Sequence, residues 1–415
     1  MSDTGTNAAR RAIEALRAGV PNRDAASALP LFQDDLVNKF QEMIREVGES
    51  DNLEDTPTRS LVVSGGFGSG KSHLLEYLRH VALEQGCVCS HLVISKETPL
   101  YDSLKLARSA AESAALPDMA GKAVSELVFK RSFNDSRFQE LMEWSVRQSV
   151  DGYRFTPLLK LLEEPHAGAE EVMEEIALEW SGYPVKVSNI RAALRDFSIM
   201  NSGTVGSITL NTLGNGLWQF LPRFFRTAGC TAWVVLVDEV ELALRYSKLQ
   251  RAKAYAQVAR LSSALKTYKC PGLITIYTST DDFATVAEDQ KGDLGIPDWL
   301  RERDKPGDQQ MAREAEAGLK LLRRGKPLRA IRREELDELE DRIRDLHSEA
   351  FNWNAPVLDQ KDHLSSSSIR ERVKSWITSW DMILQYPDYS PNLVVDKIAI
   401  QYTEDHDLDN SGEED

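Results

Sequence analysis

Apolar residues recur at helical spacing from Arg10 to Ala18, and Gly19-Val20-Pro21-Asn22 then breaks the pattern. Residues 1–8 carry no such pattern and are expected to be disordered. A second helix is predicted over about Phe32–Val47, with Phe32, Leu36, Phe40, Met43 and Ile44 on one face. After a polar loop from Gly48 to Arg59 comes Leu61-Val62-Val63, a short run apolar on both faces, as a buried parallel strand requires. A glycine loop, a helix over Lys71–Gln85 and a strand over Val88–Ile94 follow. From about Pro99 to Thr227 the pattern is mainly helical, with helices predicted at Tyr101–Ala114, Phe138–Val150, Glu170–Trp180 and Asn189–Met200. Gly203–Gly216, rich in Gly, Ser, Thr and Asn, reads as a loop, either a connector or a ligand contact. Buried strands are predicted at Ala232–Val237 and Leu273–Thr278 with a helix over Lys253–Tyr268 between them, and a weaker strand near Leu328–Ile331. Glu334–Phe351 and Ile369–Leu384 read as amphipathic helices.

Strands alternating with helices predict an α/β fold around a parallel sheet, with a small helical domain appended. The expected units are an N-terminal helical segment (1–60), a core (61–332) with a helical insertion at about 99–228, a C-terminal helical domain (333–403) and an acidic disordered tail (404–415).

The 415 residues are 42% apolar and 28% charged, which predicts a sizeable core. No window approaches the apolar length of a membrane span, and the N-terminus lacks the apolar core of a signal peptide, so a cytoplasmic protein is expected. Cys87 and Cys89 fall within an apolar strand with no second pair to complete a zinc set, so burial is the expected role. The net charge is −15, and the seven acids of Glu404–Asp415 make up less than half of it. Broad capture of nucleic acid by charge is disfavoured. The run Lys320, Arg323, Arg324, Lys326, Arg329, Arg332, Arg333 has no acid within it, and reads either as a local nucleic-acid patch or as a solvated face.

The chemistry concentrates at Gly65-Gly66-Phe67-Gly68-Ser69-Gly70-Lys71-Ser72, which satisfies G-x-x-x-x-G-K-[ST] between a strand and a helix. Glycines let backbone N–H groups face phosphate oxygens, and the helix adds its positive N-terminus. Lys71 would reach the β- and γ-phosphates, and the Ser72 hydroxyl would ligate Mg2+. The apolar strand Val234–Val237 ends in Asp238-Glu239, with Asp238 expected to hold the metal and Glu239 to activate the attacking water. Glu241 reads as a neighbour on the next turn. The strand at Leu273 ends in hydroxyls; Thr278, with Ser279 and Thr280 close behind, reads either as a γ-phosphate contact or as a satisfied turn hydroxyl. ATP and Mg2+ are therefore the expected ligands.

With these motifs in place the chain resembles the AAA+ ATPases, especially the branch of origin-recognition and replication-initiation ATPases. More specifically it resembles the ATP-binding proteins of bacterial BREX phage-defence systems, the BrxD-like family. The likeness runs through Arg10–Asn22, Gly65–Leu75 with His73 following the Gly-Lys-Ser, Val237–Glu241, Ile343–His347 and Ile369–Arg372. It implies that Val20, Pro21 and Asn22 help hold adenine, and that a lid-helix arginine reaches the γ-phosphate, with Arg370 the best match and Arg372 second. It also implies that Arg301 or Arg303 acts on a neighbouring subunit's ATP as an arginine finger. Each arginine reads equally as a surface ion-pair residue. The implied activity is ATP hydrolysis by a homo-oligomeric switch or motor working with other defence-complex proteins, and on double-stranded DNA. The interval from Lys71 to Asp238 is longer than a minimal AAA+ core requires. Two other readings stay open: a nucleotide-gated scaffold with little turnover, and a small-molecule kinase built on the same loop.

Overall fold

The computed structural model describes residues 3–117, 119, 122–148, 154–163, 169–199, 205–265, 268–358 and 368–389. The chain runs α1 (Asp3–Ala18), α2 (Arg23–Ala28), α3 (Asp34–Gly48), β1 (Arg59–Ser64), α4 (Lys71–Glu84) and β2 (Val88–Val93). Seven helices follow: α5 (Ser103–Glu112), α6 (Ala123–Lys130), α7 (Asp135–Gln148), α8 (Phe155–Glu163), α9 (Glu170–Trp180), α10 (Val187–Asp196) and α11 (Leu210–Thr227). Then come β3 (Trp233–Asp238), α12 (Lys248–Arg260), β4 (Leu273–Ser279), α13 (Phe283–Thr285), α14 (Ile296–Arg303), α15 (Asp308–Leu322), β5 (Lys326–Pro327), α16 (Arg333–Phe351) and α17 (Ile369–Gln385).

The strands form one parallel sheet in the order β2-β3-β4-β1-β5. Every residue of β3 and β4 is buried, which is why both lack the alternation of a half-exposed strand. Alternation survives instead as a division between two cores. Val234 and Leu236 join Leu74, Leu78, Phe40 and Ile44 on the side of α3 and α4, whereas Trp233, Val235 and Val237 join the helices between β2 and β3 on the other. The aromatic heart of that second layer is Trp144, Phe155, Trp180, Phe220 and Phe224, with Phe155 and Phe220 stacked at 4.4 Å. A third core joins the two ends of the chain: Ile13 and Leu16 of α1 pack with Ile343 of α16 and Trp376, Ile377 and Trp380 of α17.

Register aligns the carboxyl ends. Ser64 lies opposite Ser279, Val93 opposite Asp238, and Val237 opposite Tyr277, so the loop after β1 and the acids ending β3 emerge on one edge.

Several local expectations are corrected. Residues 3–8 belong to α1, because the helix is held against α16 and α17 rather than by its own pattern. Gly203–Gly216 is not a loop throughout. Thr209 caps α11 by accepting from the Thr212 N–H, and Gly214 sits where a Cβ would strike the backbone of Leu104. The glycine there serves close helix packing, not freedom of the chain. The helix between β3 and β4 starts earlier than expected, at a capping box of Ser247 and Gln250, and ends at Arg260. The fifth strand is Lys326–Pro327 instead of Leu328–Ile331, an edge position that tolerates the missing N–H of proline. The acidic tail, 404–415, lies outside the described residues. No described helix is long and apolar enough to cross a membrane.

Candidate functional site

At the edge where β1, β3 and β4 end, one cleft gathers the motif residues. It is lined by Phe67–His73, Asp238, Glu239 and Glu241 at one end, and by Leu16, Pro21, Leu29–Phe32, Leu328, Ile331, Leu339, Ile369 and Val373 at the other. Arg370 lies between the two.

The phosphate loop is fixed at its root, where Gly65 N–H donates to the Ser279 carbonyl at 3.1 Å. It turns into α4 through Gly70, whose φ of 100° is a conformation that glycine adopts without strain. Lys71 is buried, and its Nζ donates to the carbonyls of Gly65 (2.6 Å) and Gly66 (3.2 Å). The ammonium is thus folded back into its own loop, held by neutral acceptors that an anion would outcompete.

Asp238 is the hub. Its Oδ2 accepts from the Ser72 hydroxyl at 3.0 Å, while Oδ1 accepts from the Glu239 N–H at 2.9 Å and from the hydroxyl of buried Thr278. Three segments far apart in sequence thereby orient one carboxylate. Ser72 and Asp238 present two hard oxygen donors on neighbouring elements, which fits magnesium, an ion held through one or two protein groups plus water and phosphate oxygens. Thr278 is fully buried and directed at Asp238, so its visible role is to orient that acid; the hydroxyl expected at the γ-phosphate is already engaged. Ser279 and Thr280 are buried beside it.

Glu239 takes a φ of 61°, a left-handed conformation that costs a glutamate on the order of 1 kcal/mol or more. This turn carries the chain from β3 into a 3-10 turn over Val240–Arg245 and puts Glu239 and Glu241 in the same cleft. Burial and neighbouring Asp238 push the Glu239 carboxyl up, opposed by Lys71 and Arg370. Glu241 is only 7% exposed, its Oε2 has no hydrogen-bond partner among the described residues, and burial pushes it up to about 7. Read from sequence as a bystander, it is a wall of the site. The signal available was its place two residues past Glu239, which has meaning only once the turn geometry is known.

The other end is apolar and non-local. Of Val20, Pro21 and Asn22, only Pro21 lines the cleft. Val20 is exposed, and Asn22 is the N-cap of α2, its Oδ1 accepting from Ala25 N–H at 2.9 Å. The walls that sequence reasoning missed come from Leu29–Phe32, from Leu328 and Ile331 after β5, and from Leu339, Ile369 and Val373 of the C-terminal helices. Gln33 clamps two of these segments, its amide exchanging hydrogen bonds with the backbone of Arg329 at 2.9 and 3.1 Å. His73 hydrogen-bonds the backbone of Pro30, and burial pushes its imidazole down, towards the neutral form.

The arginines separate clearly. Arg370 lines the cleft with its guanidinium over the Phe67 ring at 4.9 Å. Arg372 does not line it. Arg301 and Arg303 do not line the cleft. Arg301 pairs with Asp298 (2.7 Å) and Glu316 (3.2 Å) beside a second surface cavity, and Arg303 donates twice to buried Asp308. The basic run of 320–333 is partly neutralised in space: Arg323 pairs with Glu288, and Arg329 and Arg332 share Glu335.

Comparison with known proteins bears on the whole chain. The model of the family described as BREX system ATP-binding protein BrxC/D matches residues 6–397. No curated protein matches the chain.

Proposed function

The chain belongs to the family of BREX system ATP-binding proteins BrxC/D, and from that premise we propose that it hydrolyses ATP in this cleft as a switch or motor of the defence complex. The observation that carries the reading is the convergence of Ser72, Thr278 and the Glu239 amide on Asp238, beside a lysine bonded to its own loop.

In this reading the adenine lies at the apolar end, between Pro21, Leu29–Phe32 and the C-terminal helices. The triphosphate reaches the loop, where Lys71 exchanges the Gly65 and Gly66 carbonyls for phosphate oxygens. Ser72 and Asp238 would hold a magnesium ion, which would supply positive charge to offset that of the phosphates. Glu239 orients a water molecule and takes its proton as the oxygen attacks the γ-phosphorus. The bond from that phosphorus to the bridging oxygen breaks, leaving ADP and phosphate. The upward push on the Glu239 carboxyl suits a proton acceptor. Arg370 grips the γ-phosphate from α17, which makes the C-terminal helices a lid.

Between the two finger candidates the pairing favours Arg301. Its partners Asp298 and Glu316 are exposed, whereas Arg303 is committed to a carboxylate that is 1% exposed. Arg301 does not line its own cleft, so in this reading it acts on the ATP of a second copy, and the active form is a homo-oligomer assembled with ATP. Double-stranded DNA is the proposed substrate of the motion; Lys320 and Arg324, beside Arg301 at the second cavity, are the contacts on offer.

The direct test is phosphate release by wild type and Glu239→Gln, with nucleotide affinity measured in parallel. General-base loss lowers turnover about 100-fold or more with ATP still bound. Unchanged turnover would remove Glu239 from the mechanism, and ATP binding without turnover in either protein would make the chain a nucleotide-gated scaffold.

A further inference from the structure

Phe67 is an oddity in a phosphate loop. Its large apolar side chain is 51% exposed at the tip, so it is not there to fill a core. What covers it is Arg370, with the guanidinium carbon 4.9 Å from the ring centroid. Two backbone features hold this stack in place. The Arg370 N–H donates to the Gly68 carbonyl at 3.1 Å. Gly68, at φ 72°, approaches α17 so closely that a Cβ there would meet Ser368 Oγ at 2.7 Å and Arg370 Cβ at 3.2 Å. The first turn of α17 is therefore docked on the loop through backbone, and the Arg370 side chain starts from an anchored Cα.

The guanidinium itself makes no hydrogen bond or ion pair among the described residues, although it lines the cleft with Lys71 and Glu239. The contrast with Arg301, Arg303, Arg323, Arg329 and Arg332, all paired with carboxylates, is sharp. Stacking engages only the face of a guanidinium. Its five N–H donors lie in the plane and stay available for a bidentate grip on phosphate.

We propose that Phe67 is a positioning residue for Arg370: the loop's own aromatic ring holds the lid arginine face-on, so its donors are set for the terminal phosphate of the bound nucleotide. This rests on the reading of the cleft as an ATP site and adds to it a link between loop and lid. Two consequences follow from the geometry. Phe67 acts on triphosphate more than on diphosphate, because the arginine's target is the last phosphate. It also acts only through Arg370, so removing the arginine makes the ring irrelevant.

The experiment measures affinity for a non-hydrolysable ATP analogue and for ADP, with magnesium, in the full chain. It uses wild type, Phe67→Leu, Phe67→Tyr, Arg370→Ala and the Phe67→Leu/Arg370→Ala double variant. A surface cation–π contact predicts that Phe67→Leu weakens the ATP analogue about two- to fivefold and leaves ADP almost unchanged. Phe67→Tyr, which keeps an aromatic face, restores most of the loss, and Phe67→Leu costs nothing further once Arg370 is alanine. An equal loss for ATP analogue and ADP, or the same loss with and without Arg370, overturns the proposal and makes Phe67 a part of the loop alone. Should Phe67→Leu not fold, Phe67→Met takes its place in the same comparison with and without Arg370→Ala, with the same two outcomes deciding. Failure of wild type to bind either nucleotide would instead overturn the ATP site itself, a result distinct from both.

Discussion

The two ends of the cleft are made in different ways. The phosphate end is polar and mostly local: eight consecutive residues, Gly65–Ser72, supply loop, lysine and hydroxyl, while Asp238, Glu239, Glu241, Thr278 and Arg370 come from elsewhere. The base end is apolar and assembled from the extremes of the chain, with Leu16 and Pro21 meeting Leu339, Ile369 and Val373. A motif is enough to build the first, because in the proposed reading backbone amides and one hub carboxylate are all that the phosphates and metal require. The second exists only while α1 and α2 stay packed on α16 and α17. On the proposed function, nucleotide affinity is thereby tied to the packing of the chain's two ends, and unpacking them should change the apolar end while leaving the phosphate end intact.

The largest way to separate the ends is to unpack the third core. Trp380 is fully buried and donates from Nε1 to the Pro356 carbonyl at 2.9 Å. Trp380→Ala should destabilise that core by about 3–5 kcal/mol, seen as an early first transition in chemical denaturation. Affinity for ATP should fall while inorganic triphosphate binding, read by competition, persists. Equal ATP affinity in folded Trp380→Ala would detach the base end from the site.

At the phosphate end, Glu241 offers a pH test. Its folded-state carboxyl sits at about 7, above the ordinary value of 4.5. Below pH 4.5 the group is protonated folded or unfolded. As pH rises from there towards 7, the folded chain keeps a proton that the unfolded chain releases, so stability declines across that window and the loss is complete above it. Glu241→Gln should match wild type near pH 4 and exceed it at pH 8 by up to about 3 kcal/mol, measured as the difference between the two denaturation curves. A difference that does not depend on pH would mean that the Glu241 carboxyl titrates alike in the folded and unfolded chain.

The smallest effect sharpens the base end. Asn22→Ala removes the cap of α2 and should lower stability by about 1 kcal/mol with the preference for ATP over GTP unchanged. A lost preference at full stability would instead restore Asn22 as an adenine contact.

Legibility from the sequence follows the same division. The α/β class, the buried strands and the phosphate loop were readable because each is encoded over five to ten neighbouring residues. Asp238 was readable because an apolar run that ends in acid is a local pattern. Glu241 was not, since its place depends on a left-handed turn at Glu239 that residue type does not announce. Thr278 was readable as a polar residue at a strand end, but its partner was not, because β4 and β3 are neighbours only in the sheet. Gly214 misled for a related reason: flexibility and close packing call for the same residue, and the backbone of α5 lying against Gly214 is what separates them.

By itself the sequence determined the chemistry on offer: a loop shaped for phosphate, a lysine, a hydroxyl and acids at the end of a buried strand, all dictated by short-range backbone geometry and hydrophobic period. Tertiary structure alone decided that Arg370 of α17 lies over Phe67 of the loop, and that the two ends of the chain meet at the apolar end of the cleft. Those outcomes depend on distances between segments hundreds of residues apart, and apolar contact, being non-directional, leaves no spacing in the sequence from which to read its partner.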